Sequence, residues 1–178
     1  DTGYLRFPTI KADTVVFVSE DDLWSVPADG GIARRLTANL AETSRPRLSP
    51  DGRLVAFTSR EEDHPEVWCM PAAGGPAQRL THLGGAITTV VGWSPDGRVA
   101  AVSTAEQPFR RWTMPLLVDP ATGDVEWLPL GPARELSWAA DGRGTVIGRH
   151  AVDPARWKRY RGGTAGQLWV DRAGEGSF

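Results

Sequence analysis

Chemistry in this 178-residue chain would have to come from a short set of side chains. A hydrolase nucleophile elbow reads Gly-x-Ser-x-Gly, a strained strand-to-helix turn that exposes a serine hydroxyl. The nearest stretch, Gly92-Trp93-Ser94-Pro95-Asp96, fails at its fifth position, so no catalytic residue is assigned. The three histidines, His64, His82 and His150, are far apart in sequence and are expected in connections. They lack the local spacing that sets two imidazoles on one metal, and neither a metal site nor a cofactor is expected. The acidic runs Glu20-Asp21-Asp22 and Glu61-Glu62-Asp63 are expected as solvated loop charge between strands rather than as calcium ligands. Cys69 is the only cysteine, which excludes an internal disulfide, and within Val67-Trp68-Cys69-Met70 it reads as a small, semi-buried strand residue.

Two basic features remain. Arg156-Trp157-Lys158-Arg159-Tyr160-Arg161 interleaves cations with aromatics, as a single-strand nucleic-acid binder would. The formal net charge of −2 and a pI near 5.9 give no general electrostatic footprint for nucleic acid, so a packed structural loop is the expectation. The adjacent pair Arg110-Arg111 is the candidate substrate-binding site. Two guanidinium groups side by side can grip a carboxylate through bidentate hydrogen bonds, as the C-terminus of a peptide would require.

These residues must be positioned by a repeated framework. Ser49-Pro50-Asp51-Gly52-Arg53, Ser94-Pro95-Asp96-Gly97-Arg98 and Ala140-Asp141-Gly142-Arg143 place their aspartates 45 residues apart. Ser at the first turn position, Pro at the second and Gly at the fourth suit a type I turn, so each copy is expected to close a β-hairpin. A second phrase repeats out of step: Leu23-Trp24-Ser25-Val26-Pro27-Ala28-Asp29-Gly30-Gly31, then Val67-Trp68-Cys69-Met70-Pro71-Ala72-Ala73-Gly74-Gly75, each followed by Arg-Leu-Thr at 35–37 and 79–81. Degenerate copies run from Leu116 to Gly123 and from Leu168 to Gly174.

A period of this length with two hairpins per copy predicts an all-β chain, a β-propeller of about four blades, each a four-stranded antiparallel sheet. The blades are expected at about 4–43, 44–86, 87–133 and 134–178, the last without its outer strand. Short apolar runs at 15–18, 54–57, 99–102 and 146–147 should form second strands buried on both faces between neighbouring blades. The 14 prolines and 20 glycines would interrupt long helices. The truncated fourth module suggests part of a larger propeller. No stretch is long and apolar enough to cross a membrane, and no charged-then-apolar leader precedes the fold; a cytoplasmic address is expected.

Several stretches resemble the tricorn protease family. Gly3-Tyr4-Leu5-Arg6-Phe7-Pro8-Thr9-Ile10 and the run from Val16 to Trp24 are similar to the start of these proteins. Gln107-Pro108-Phe109, Leu130-Gly131-Pro132-Ala133, Val146-Ile147-Gly148-Arg149 and Trp157-Lys158-Arg159-Tyr160-Arg161-Gly162-Gly163-Thr164 follow in family order. The last is the most discriminating, because the Pro-Asp-Gly turn is shared with TolB and with the propellers of prolyl-oligopeptidase-like enzymes.

The resemblance implies a large cytosolic serine peptidase, a homo-hexamer, that trims oligopeptides released by the proteasome or comparable proteases. This chain would be roughly the first four blades of its six-bladed N-terminal propeller, a non-catalytic peptide channel and scaffold. The catalytic residues would lie further along the parent chain. Archaeal relatives place a paired arginine for the substrate C-terminus in the loop entering the third blade. The corresponding 82–90 stretch here has no arginine, and Arg110-Arg111, in the same blade but at a position that does not match the family motif, is the expected substitute. Two other readings stay open: a TolB-like propeller binding protein partners, and the gating propeller of a prolyl-oligopeptidase-like hydrolase.

Overall fold

The computed structural model describes residues 4–38, 40–109, 112–149 and 166–178. Four antiparallel sheets follow one another along the chain. The first comprises β1 (Arg6–Lys11), β2 (Thr14–Ser19), β3 (Asp22–Pro27) and β4 (Arg34–Arg35), and the second β5 (Thr43–Leu48), β6 (Leu54–Glu62), β7 (His64–Pro71) and β8 (Gln78–Arg79). The third comprises β9 (Thr88–Trp93), β10 (Val99–Ser103), β11 (Met114–Val118) and β12 (Val125–Trp127). The fourth has three strands, β13 (Glu135–Trp138), β14 (Thr145–Arg149) and β15 (Gln167–Asp171). Within each sheet the strands lie in chain order, and among the described residues there is no helix.

The repeated turn works as its residues dictate. Gly52 N–H donates to the Ser49 carbonyl at 2.9 Å, closing the four-residue turn between β5 and β6. The Ser49 hydroxyl donates to Asp51 Oδ1 at 2.6 Å, and the same carboxylate oxygen accepts Arg53 N–H at 3.0 Å. Gly97 and Gly142 make the same backbone bond to Ser94 and Ala139. The hydroxyl bonds hold the Asp51 and Asp96 carboxyls below the usual aspartate range, burial opposing and the Arg53 and Arg98 contacts assisting. A carboxyl depressed in the folded state stabilises fully above its unfolded value, near pH 4, and loses that contribution as pH falls toward the folded one. Asp96→Asn is therefore expected to flatten the decline of Tm with acidification between about pH 4 and pH 2. Thermal unfolding followed at several pH values checks this, and parallel curves for the variant and the parent would contradict it.

The central strands carry the cores. On β10, Val99 and Ala101 pack toward the second sheet with Ala56, Val67, Cys69 and Leu80, while Ala100 and Val102 pack toward the fourth with Leu136 and Ile147. On β6, Val55 and Phe57 join Val16, Val18 and Leu23 of the first sheet, and Ala56 turns the other way. A strand with one apolar set for each neighbour must read as a continuous apolar run, which explains the sequence pattern. Three interleaved cores thus join four blades into one array.

The burial of Cys69 has a chemical consequence. Desolvation raises its thiol to about 11, slightly offset by a backbone hydrogen bond from Met70. Because the thiolate is the nucleophile, the native protein is expected to resist alkylation by iodoacetamide at pH 8 and to react in denaturant. Rapid labelling under native conditions, read by mass spectrometry, would contradict the buried placement.

A candidate axial cleft

The first strands of the four sheets pack side by side, β1 on β5, β5 on β9 and β9 on β13, which places them innermost around a common axis. Each of the first three carries an irregularity. The β1–β2 register shifts between Arg6 and Thr9, the β5–β6 register between Ser44 and Arg47, and the β9–β10 register around Val91. Phe7 and Arg45 take positive φ, 50° and 53°, each immediately before a proline that has no N–H to give to the ladder. Such bulges re-aim side chains, and here they aim cations.

Arg45 Nη1 reaches Glu135 Oε1 on β13 at 3.7 Å, skipping the third blade, and its guanidinium lies 5.2 Å from the Phe7 ring centroid of the first. Arg6 is paired with Asp21 at 2.6 Å. Arg47 Nε donates to the Val91 carbonyl at 3.1 Å and Nη1 to the Pro46 carbonyl at 3.2 Å, while Trp93 Nε1–H donates back to the Arg47 carbonyl at 2.8 Å. Burial pushes the Arg47 pKa down from the ordinary arginine value, Arg45 adds to this and Glu135 opposes it. The group nonetheless remains a cation at neutral pH. Toward the Pro-Asp-Gly end of the axis these strands enclose a cleft of about 570 Å³, lined from all four by Lys11, Arg47, Trp93 and Trp138 among others.

A second polar device sits at the outer side of the first two blades. Asp22, 3% exposed, accepts the Thr37 hydroxyl at 2.7 Å and pairs with Arg35. Glu66, 1% exposed, accepts the Thr81 hydroxyl at 2.5 Å and Gly84 N–H at 2.8 Å, with Arg79 Nη2 at 3.6 Å. In both blades the threonine oxygen also accepts the backbone N–H that follows β3's or β7's acid, Leu23 or Val67, at 2.9 Å. Asp22 is therefore not the solvated loop charge that its acidic run suggested: the Arg-Leu-Thr segment folds back over it and supplies both partners. The signal was available, since each acid precedes its arginine by 13 residues and its threonine by 15.

The Arg110-Arg111 candidate lies outside the described residues. Its flanks are described: Phe109 and Trp112 are exposed, their rings meet edge-on at 5.0 Å, and Trp112 N–H donates to the Phe109 carbonyl at 3.0 Å. Glu106 and Gln107, just before them, line a hollow of about 480 Å³ with Arg60, His64 and the 83–86 loop that Glu66 holds. The Arg156–Gly163 stretch and His150 also lie outside the described residues. His64 opens β7 rather than lying in a connection, because the β6–β7 hairpin extends to pair it with Glu62. Among the described residues, no three His, Cys, Asp or Glu side chains are grouped to hold a metal. No described helix is long and apolar enough to cross a membrane.

Comparison with known proteins gives this architecture a family. The tricorn protease N-terminal beta propeller domain matches residues 2–178. Tricorn protease homolog 1 of Streptomyces coelicolor is 47% identical over 183 residues, a match that takes in 99% of this chain and 16% of that protein. The crystal structure of the tricorn protease superposes with a TM-score of 0.84 at 32% identity, over 95% of this chain and 17% of the other. TolB from Acinetobacter baumannii superposes at 0.71 with 17% identity, over 94% of this chain and 41% of that one, a likeness of fold alone. This chain thus spans about a sixth of the length of these two tricorn proteins. With four radially packed antiparallel sheets and a family match over nearly every residue, the chain belongs to the tricorn protease N-terminal β-propeller family.

Proposed function

We propose that this chain is the first four blades, at about 4–43, 44–86, 87–133 and 134–178, of the six-bladed propeller of a tricorn-like serine peptidase, and that it serves as a non-catalytic peptide channel and scaffold. The observation that carries this reading is the axial cleft, lined from all four first strands, in a chain whose family match runs over residues 2–178. An axial cleft that mixes polar groups such as Lys11, Arg47 and Ser49 with apolar walls suits an extended oligopeptide, whose backbone donors and acceptors need partners wherever water is displaced. The substrates are oligopeptides released by proteasome-like proteases, the parent assembles as a homo-hexamer in the cytoplasm, and the nucleophile lies elsewhere in the parent. Arg110 and Arg111 bind the substrate carboxylate.

The identities separate this from the two other readings. Tricorn relatives share 29–47% of positions with this chain, against 17% for the TolB structure and 18% for an acylaminoacyl peptidase. The parent polypeptide is expected to release a fluorescent group from short peptide substrates, and the isolated 178-residue chain is expected to release none, because nucleophile, base and oxyanion donors do not converge among its described residues. Turnover by the isolated chain, surviving an inactive-preparation control, or a parent without peptidase activity, would overturn the reading.

A further inference from the structure

Within the axial cleft, two cations, Arg47 and Lys11, have no ion-pair partner among the described residues. Arg47 is half-buried and its planar group is held in place by two backbone carbonyls, Val91 and Pro46, which take Nε and Nη1. Its Nη2 has no protein partner among the described residues, and no carboxylate there lies within ion-pair distance of it. The neighbouring charges do not cancel it. Glu135 is engaged by Arg45, Asp21 by Arg6, and Asp141, the acid on the cleft wall, is engaged by Arg143 at 3.5 Å. Lys11, exposed on the cleft's rim, has no ion-pair partner among the described residues either.

A half-buried guanidinium has lost part of its hydration, and fixed carbonyls replace water on two of its three nitrogens only. The third keeps unused N–H donors beside the cleft of about 570 Å³. The walls add Trp93 and Trp138, flat apolar surfaces suited to the groups next to a charged end.

We propose that Arg47, assisted by Lys11, is a carboxylate-binding site on the propeller axis, so that the cleft prefers peptides bearing an acidic group. The site rests on the channel reading above for the peptide nature of its ligand. It is distinct in sequence and placement from Arg110-Arg111, since it is built on β5 and faces the axis. Its chemistry is that of any carboxylate, from an acidic side chain or a free C-terminus. Arg47 was not singled out by the sequence because its meaning depends on the bulge at Arg45 and on Val91, 44 residues away.

The test uses the 178-residue chain labelled with ¹⁵N-tryptophan, because the Trp93 indole N–H bonds to the Arg47 carbonyl and reports on the site. Three probes are titrated: N-acetyl-Ala-Glu-Ala-amide, N-acetyl-Ala-Gln-Ala-amide and N-acetyl-Ala-Gln-Ala with a free carboxylate. The Trp93 signal is expected to shift with all three, the acidic probes binding about tenfold more tightly than the neutral one. The stronger of the two acidic probes identifies the source of the carboxylate. In Arg47→Gln the preference is expected to vanish, and in Lys11→Gln, an exposed change that leaves packing intact, to fall about threefold. Equal binding of acidic and neutral probes overturns the carboxylate site while leaving the channel standing. No shift with any probe overturns both. A full preference retained in folded Arg47→Gln overturns the site, and if that variant does not fold, an unchanged preference in Lys11→Gln does so.

Discussion

Glu66→Ala is expected to lower the unfolding free energy of the chain by about 3 kcal/mol, a large fraction of what holds a domain of this size together. The carboxylate is almost wholly buried and has three partners from β8 and the connection after it: the Arg79 guanidinium, the Thr81 hydroxyl and Gly84 N–H. Removing it leaves Gly84 N–H without an acceptor, and Arg79 keeps only Glu62 and the Thr81 carbonyl. Each orphaned polar group costs about 1–3 kcal/mol. Blade one shows what a shorter acid can do, since Asp22 reaches its threonine and arginine but, among the described residues, no backbone N–H of the next connection. Glu66→Asp is therefore expected to keep the Thr81 bond and lose Gly84, at about half the cost. Urea unfolding gives the energies, and faster hydrogen exchange at Gly84 in both variants identifies the lost bond. A Glu66→Ala variant within 1 kcal/mol of the parent, or with Gly84 exchange unchanged, would contradict this account.

That device shows where sequence reading succeeds and where it stops. Turn chemistry is local, so Ser49-Pro50-Asp51-Gly52 announces its hairpin through residues that bond to one another within a few positions. Two-sided burial is also legible, because Val99-Ala100-Ala101-Val102 must satisfy two cores at once and so contains no polar residue. The fate of Asp22 was misread because its partners arrive from the outer strand, and an acidic run beside a turn carries no sign of being covered. The axial charges are harder still. Arg45 and Glu135 are 90 residues apart, and they meet only because blades two and four converge on one axis and a bulge turns Arg45 inward. A one-residue shift of register would have sent that side chain to the other face.

The replacement of both Arg110 and Arg111 by alanine, made in the full-length parent, is expected to weaken kcat/KM for peptides with free C-termini by roughly tenfold to a hundredfold. That range is a charge-assisted contact to a carboxylate, about 1.5–3 kcal/mol, read as a rate ratio. The proposal rests on the pair itself and on its flanks. Phe109 and Trp112 present exposed rings in edge contact on either side of the pair in sequence, and Glu106 and Gln107 just before it line the hollow walled by the 83–86 loop. Amidated peptides of the same sequence supply the decisive comparison, because they keep every contact except the one to the terminal carboxylate. Their turnover is expected to change much less than that of the free acids. The axial site makes a separable contribution: it is built on another blade, so Arg47→Gln should act on internal acidic residues even in the amidated series, where the double variant does not. Equal losses for free and amidated peptides, or no loss for either, would leave Arg110 and Arg111 as solvated surface cations and remove them from the binding site.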